Sequence, residues 1–505
     1  MLDPRVYEMY QKYFKNEGKW QWLFKSNPED NFPPYDVPNA KIKSEVIILD
    51  SPSNIYHKCE TFKEMINMIK YDLDLLLNKD GVSHLHYLMD METPIAKYVD
   101  EPEKTFIEKT PFQEFSTTNP YHAWKMSMLK HPVKKNNVKN ALQSISGTTD
   151  GFDFAFPAEM SPLLENRDYK QFLSYLICEH LFSSYVPPVG RTVFFYAPNF
   201  RKARNHTSEV QIPKAFLNKY QEADYQTVWI ANQYCKEHHV TIYSRDGDVV
   251  LAQLLGQTNR MISLVNGTLE SVQFGGQVVV VNHWREKCAF SYININNLWF
   301  SISNYALERE RYFPDPEFKI KVPVATVVAI TLLNKNDYVL NFPKIGPVNL
   351  FEAFFKNIGI LGLPMVKGVG HPNTLRLNAS SFLRLIFYAY FKIYSGQIQN
   401  NDNLIFNEKA SFAVIQKALK SSGKNFTMDA FKVKLANVYW FMQYMIAAQH
   451  GEEPSPPAKK DENGISIYGY SDITVGRPVT GRSKVIRPEK VSIKSFIFYV
   501  VLILF

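Results

Sequence analysis

Four apolar runs in this chain end in aspartate, and this recurrence restricts the fold more than any other feature. VIILD closes at Asp50, HLHYLMD at Asp90, VTIYSRDGD at Asp246 and Asp248, and VVAITLLNKND at Asp337. Short β-branched runs of this kind suit strands buried on both faces of a parallel sheet. Open α/β sheets bind ligands at the carboxyl ends of their strands, so the aspartates are expected to meet along one edge. Carboxylates crowded there repel one another unless cations neutralise them. The pattern points to a divalent-metal site on an α/β fold. The last run, VPVATVVAITLL, is too long for an ordinary strand and is read as a helix, so Asp337 is expected after a helix.

Composition narrows the class. A hydrophobic fraction of 45% with 14% aromatics supplies ample core for a chain of 505 residues and excludes an intrinsically disordered protein. The formal charge of +8 is a mild basic excess, compatible with a polyanionic partner. Cys59, Cys178, Cys235 and Cys288 are scattered, without a CxxC pair, which argues against a disulfide framework or a zinc ribbon and for an intracellular, reducing compartment. The N-terminal stretch MLDPRVYEMYQKYFKNEGKW lacks the apolar segment of a signal peptide. The terminal SFIFYVVLILF is shorter than the roughly 20 residues that cross a bilayer, and a buried strand or apolar tail is the expectation there.

The organisation follows from periodicity. Strands are expected at 45–50, 84–90, 192–198 and 240–244, and helices at 61–77, 168–186 and from Glu222 onward. Helices are also expected at 379–395 and 426–448, and another starts at Pro347, a residue suited to a first helical turn. The whole is expected as a core over 1–450, with a mobile or inserted basic region at 91–165. Alternation in QVVVVNHW and FSYININNLWFSIS predicts a β-rich insertion over 249–321. A Pro/Gly-rich flexible linker at 451–490 leads to an apolar tail at 491–505.

Glu222 and Asp224 stand at the expected helix start. Residues two apart on a helix point about 200° from each other, so both face one site only if Glu222 precedes the first full turn. Each acid has a structural alternative. Acids favour helix N-termini, a DGD often makes a tight turn, and Asp50, Asp90 and Asp337 could each cap the next helix. The force of the pattern lies in the order of the motifs.

In that order the chain resembles the flap endonuclease and Xrn 5′-nuclease superfamily. IILDSPSNIYH is similar to its first motif, with Tyr56 six positions after Asp50, and YLMDMETPIAK to its second, with Lys97 seven after Asp90. QEADYQTVWIANQY resembles its paired-acid helix, YSRDGDVVLAQLL its D-x-D strand end, and LLNKNDYVLNFPKIGPVNLFEAF its last aspartate followed by a helix–turn–helix. The resemblance implies a PIN-like α/β fold: a mainly parallel central sheet flanked by helices, a helical arch within 91–165, and a duplex-binding helix–turn–helix at 338–360. It also implies two Mg²⁺ or Mn²⁺ ions held by Asp50, Asp90, Glu222, Asp224, Asp246, Asp248 and Asp337, and a nucleic-acid substrate, DNA or RNA, with a 5′ end or flap. Two such ions stabilise attacking and leaving oxygens in phosphodiester hydrolysis without a side-chain nucleophile. Lys97 and Lys104 match the family's arch cations, Tyr56 its base-stacking tyrosine, and Lys344 with Gly346 its phosphate-holding turn, where K⁺ also binds.

The chain departs from the family in places. It begins MLDPRVYEMYQKYF where members carry a Met-Gly segment, it has Asp224 where glutamate is usual, and its long span from Asp248 to Asp337 is closer to the Xrn type. LANVYWFMQYMIAAQHG is similar to an Xrn segment that follows the core. The leading expectation is a 5′→3′ exonuclease or structure-specific endonuclease. The alternatives are a non-catalytic nucleic-acid-binding protein that keeps the fold and a host-shutoff type of endoribonuclease.

Overall fold

Five-residue runs of β-branched and aromatic residues build the centre of the molecule. In the computed structural model, the described residues are 4–14, 44–51, 59–90, 156, 167–197, 200–216, 222–244, 246–265, 276–284, 289–307, 316–334, 342, 345–357, 365–391, 408–420 and 428–451. The expected linker apart from Gly451, the apolar tail and all of the arch region but Phe156 lie outside them.

Strands β1 (Val46–Asp50), β2 (His84–Leu88), β3 (Thr192–Ala197), β4 (Phe200–Asn205), β5 (Glu209–Val210), β6 (Val240–Ser244), β7 (Val278–Trp284) and β8 (Ala289–Asn294) form one eight-stranded sheet. Its order is β5-β4-β3-β2-β1-β6-β7-β8. The inner strands β3, β2, β1, β6 and β7 run parallel, and the two edges turn back antiparallel. Fully buried β1 and β6 match the expectation for strands covered on both faces.

Helices cover both faces. On one lie α2 (Phe62–Leu77) and α3 (Arg167–Ser184), whose Ile69, Leu73, Leu76 and Leu173 pack on Ile47, Leu49, Leu85 and Phe195. Thr61 starts α2 by accepting the Glu64 amide at 3.1 Å, and Gly81, at φ +83°, turns the chain into β2. On the other face lie α4 (Ala223–Tyr234), α5 (Asp248–Gly256), α6 (Thr258–Val265), α7 (Ile295–Leu307) and α8 (Pro316–Leu332). They share their core with Val46, Ile48, Ile242 and Val280 from the sheet. The N-terminal helix α1 (Pro4–Phe14) packs there too, its Tyr10 hydroxyl 2.7 Å from Thr331 Oγ1. Outer helices α9 (Pro347–Asn357), α10 (Ala379–Phe391), α11 (Glu408–Lys420) and α12 (Met428–Ala448) complete this layer, with a small β9 (Val366–Lys367) and β10 (Arg376–Leu377) ribbon.

The stretch from 249 is not a β-rich insertion. VVLAQLL continues α5, buried on every side, and α6 follows it. The alternating segments do form a hairpin, β7–β8, but β7 pairs in parallel with β6 and extends the central sheet. In FSYININNLWFSIS the strand stops at Asn294, whose Oδ1 accepts the Asn297 amide at 3.0 Å and starts α7. The helix expected from Pro347 is α9, while the rest of the expected helix–turn–helix falls largely outside the described residues.

Candidate metal centre

Strands β2, β1 and β6 are adjacent and parallel, so their carboxyl ends open on one edge. Asp50 ends β1, opposite Leu88. Asp90 follows β2 by two residues, and Asp246 follows β6 by two. The expected convergence of Asp50, Asp90 and the DGD pair is therefore a consequence of strand order.

The paired-acid helix is tied to the same edge. The Ala223 amide, at the first position of α4, donates to Asp90 Oδ1 at 3.1 Å. Glu222 precedes the helix with extended backbone, φ −92° and ψ 140°, and its side chain does not cap it. Asp224 lies in the first turn. The condition for Glu222 and Asp224 to serve one site is thus met: Glu222 stands outside the helical repeat.

The DGD segment starts α5. Gly247 is in ordinary right-handed conformation, φ −70° and ψ −17°, so the glycine supplies no unusual backbone angle here, contrary to the tight-turn alternative. Asp246 Oδ1 accepts the Asp248 amide at 3.3 Å, and Asp248 sits in the first turn, where the helix dipole favours a carboxylate. Helix capping and membership of the acidic cluster coexist in this pair.

Three of the six described carboxylates are buried, and Asp90, Asp224 and Asp246 are half-buried. Asp50, Glu222 and Asp248 are only 7%, 2% and 4% exposed, which makes their ionised forms costly. Burial pushes Asp50 up to about 7; the Ser244 hydroxyl, donating to Asp50 Oδ2 at 2.6 Å, pulls it back, and the charges of Asp90 and Asp246 push it up again. Asp224 also shares a hydrogen bond with Asp50. Burial holds the Tyr225 phenol well above its ordinary value, aided by the charges of Glu222, Asp224, Asp248 and Asp246, which surround it. Asp50 and Tyr225 together link all six described carboxylates into one electrostatic unit.

Lys170, on α3, is a cation that the sequence reading missed: its Nζ lies 3.0 Å from Asp90 Oδ2. Ser244 and Tyr225 were missed as well. Ser244 was visible only as a hydroxyl two positions before Asp246, and Tyr225 as an aromatic beside the paired acids. Asp337, Lys97, Lys104, Tyr56 and Lys344 lie outside the described residues. Gly346 is described, at the residue before α9, where a side chain would meet the Arg5 guanidinium of α1.

The donor set is oxygen throughout, which fits a hard divalent cation such as Mg²⁺ or Mn²⁺. Among the described residues no group of three or more His, Cys, Asp or Glu side chains is arranged to hold a metal ion. Asp90 already engages Lys170 and the Ala223 amide.

No family model matches the chain, and no curated protein matches it.

Proposed function

We propose that the chain is a divalent-metal-dependent 5′ nuclease, of PIN-like type, that hydrolyses phosphodiester bonds of DNA or RNA as a 5′→3′ exonuclease or flap endonuclease. The observation that carries this reading is the gathering of Asp50, Asp90, Glu222, Asp224, Asp246 and Asp248 on one sheet edge from three adjacent parallel strands and two helix starts. Buried carboxylates at that density need a strong positive partner. These six, with Asp337, are the residues that would hold Mg²⁺ or Mn²⁺. Such ions supply charge stabilisation to a phosphodiester undergoing in-line displacement and make water a stronger nucleophile.

The protein's own groups have separable tasks. Asp50, whose proton is held up to about pH 7 by burial, would release that proton on holding a divalent cation. Ser244 fixes the Asp50 carboxylate, the Ala223 amide fixes Asp90, and Asp246 fixes the start of α5. Lys97 and Lys104 are proposed as cations toward the phosphate, and Tyr56 as a stacking platform for a terminal base. Lys344 and Gly346 are proposed to hold duplex phosphate, with K⁺ at the same turn.

The test is cleavage of 5′-labelled flap DNA and 5′-monophosphate RNA with Mg²⁺ or Mn²⁺, comparing the protein with Asp246→Ala and Asp248→Ala. Metal-dependent cutting that falls at least about 10³-fold in both variants is expected for groups that hold the catalytic ions. Absence of cutting of either substrate with either metal sinks the enzyme reading. The second reading, a non-catalytic nucleic-acid-binding protein on this fold, draws on Asp90, which among the described residues is already engaged by Lys170 and the Ala223 amide. It predicts that the aspartate variants bind nucleic acid unchanged and that Mn²⁺ leaves the melting temperature where it was.

A further inference from the structure

One row of backbone partners crosses the carboxyl edge of the sheet. Asp50 on β1 is opposite Leu88 on β2, Leu88 is opposite Tyr196 on β3, and Tyr196 is opposite Arg201 on β4. Three interstrand steps separate Asp50 from Arg201, about 14 Å between their backbones at the usual spacing. Directly paired residues on antiparallel strands project from the same face. Arg201 therefore shares the face of Tyr196, the one covered by α4, which Glu222 precedes and whose first turn carries Asp224.

Arg201 is half-buried, and burial lowers its pKa, with the Tyr196 phenol acting the other way. Two other half-buried arginines give their guanidinium groups to the protein. Arg204 Nη1 donates to the Phe182 carbonyl at 2.6 Å, and Arg260 donates to Gln257 Oε1 at 3.0 Å and to the Gly276 carbonyl at 2.9 Å. Among the described residues no hydrogen bond or ion pair engages the Arg201 guanidinium. No Arg201 nitrogen is among the buried side-chain atoms without a partner, so water reaches the guanidinium, and an anion offering two oxygens to its planar fork replaces that water with charge-assisted hydrogen bonds.

The surroundings favour an anion arriving along this edge. Lys170 stands on the other face of the same sheet region, on α3, beside Asp90. The acidic cluster is thus bordered on its β3–β4 side by two cations, one per face. A polyanion repelled by the carboxylates is attracted along this border.

We infer that Arg201 is a phosphate-binding residue that holds the nucleic-acid backbone beside the acidic centre, with the strand laid from β1 toward β4. The inference rests on the proposed nuclease reading and adds the direction of the bound strand and the residue that fixes it. Phosphate contacts of this type position a chain without reading its sequence.

The experiment uses the full-length protein, a 5′-phosphorylated single-stranded oligothymidylate and its oligouridylate counterpart, with Ca²⁺ replacing Mg²⁺, and binding followed by fluorescence anisotropy across a salt series. Arg201→Gln is expected to weaken both ligands about tenfold and to reduce the log–log salt slope by about 0.7, the value for one phosphate contact on a single strand. Arg201→Lys is expected to keep the slope while losing part of the affinity, because the charge remains and the two-pronged geometry does not. Thermal melting accompanies each variant; if Arg201→Gln does not fold, Arg201→Lys with wild-type affinity for both ligands overturns the inference. An unchanged affinity and slope in folded Arg201→Gln overturns it while leaving the nuclease reading intact. Failure of the unmutated protein to bind either ligand overturns both.

Discussion

The Ser244 hydroxyl donates to Asp50 Oδ2 at 2.6 Å across the seam between β6 and β1, and its oxygen accepts the Asp246 amide at 3.0 Å. One side chain thereby couples the end of β1 to the turn that starts α5. Ser244→Ala removes a buried donor from a carboxylate, a loss of about 1–3 kcal/mol. Urea unfolding is expected to show a lower midpoint with an unchanged slope. Because the hydroxyl holds the Asp50 pKa down, the variant should also bind Mn²⁺ more weakly at neutral pH. Equal stability and equal Mn²⁺ affinity would remove Ser244 from the site.

The parts of this site that were legible in the sequence are those fixed by local chemistry. Val46–Leu49 is a β-branched and aliphatic run that wants burial on both faces, and the stretch from Thr61 to Leu77 places apolar residues at helical spacing. Glu222 and Asp224 were readable as a helix start for the same reason. The misread stretch, 249–321, failed where pairing is nonlocal: nothing in QVVVVNHW says that its partner is β6. Alternation after Asn294 gave way to a helix because that side chain caps it, and Asn296 turns inward to accept the Val278 amide at 3.0 Å. Lys170 was invisible because its link to Asp90, eighty positions away in the chain, depends on how α3 packs over β3 and β4.

Lys170 bears on metal binding. It lies 3.0 Å from Asp90 Oδ2, and both side chains are 24% exposed, so the pair contributes about 1 kcal/mol at most. Lys170→Met is expected to lower the melting temperature of the metal-free protein slightly. It should also tighten Mn²⁺ binding in calorimetry, because a cation no longer competes at Asp90. Weaker Mn²⁺ binding would instead make Lys170 a support that positions Asp90.

Asp50 sets a pH dependence in metal-free protein. Its folded pKa, near 7, lies above the ordinary 3.8, so the folded state holds a proton there that the unfolded chain has released. Between about pH 4 and 7 this group makes stability fall as pH rises. Asp50→Asn should remove this slope in denaturant titrations from pH 4 to 8. Mn²⁺ should displace the proton from Asp50, measurable as proton uptake by buffers of different ionisation enthalpy. A slope identical in Asp50→Asn would refute the assignment.

His86 opposes Asp50 in the same pH range. It is fully buried in the middle of β2, stacked on Phe194 at 4.4 Å, with Nδ1 3.1 Å from the Tyr196 hydroxyl and Nε2 3.1 Å from that of Tyr234. Burial, and then the charge of His84, hold its pKa well below 6.5. The unfolded chain therefore takes up a proton below about pH 6.5 that the folded one refuses, and stability falls as pH falls. In the unmutated protein this trend masks part of the Asp50 effect, so the net curve is flatter than either. His86→Phe keeps an aromatic ring against Phe194 but leaves the buried Tyr196 hydroxyl without its partner, a cost of about 1–3 kcal/mol. Its pH profile should lose the acid-side decline and expose the full Asp50 slope. The double variant His86→Phe with Asp50→Asn should then be nearly flat from pH 4 to 7; a residual slope as steep as that of either single variant would show that other groups set the pH response.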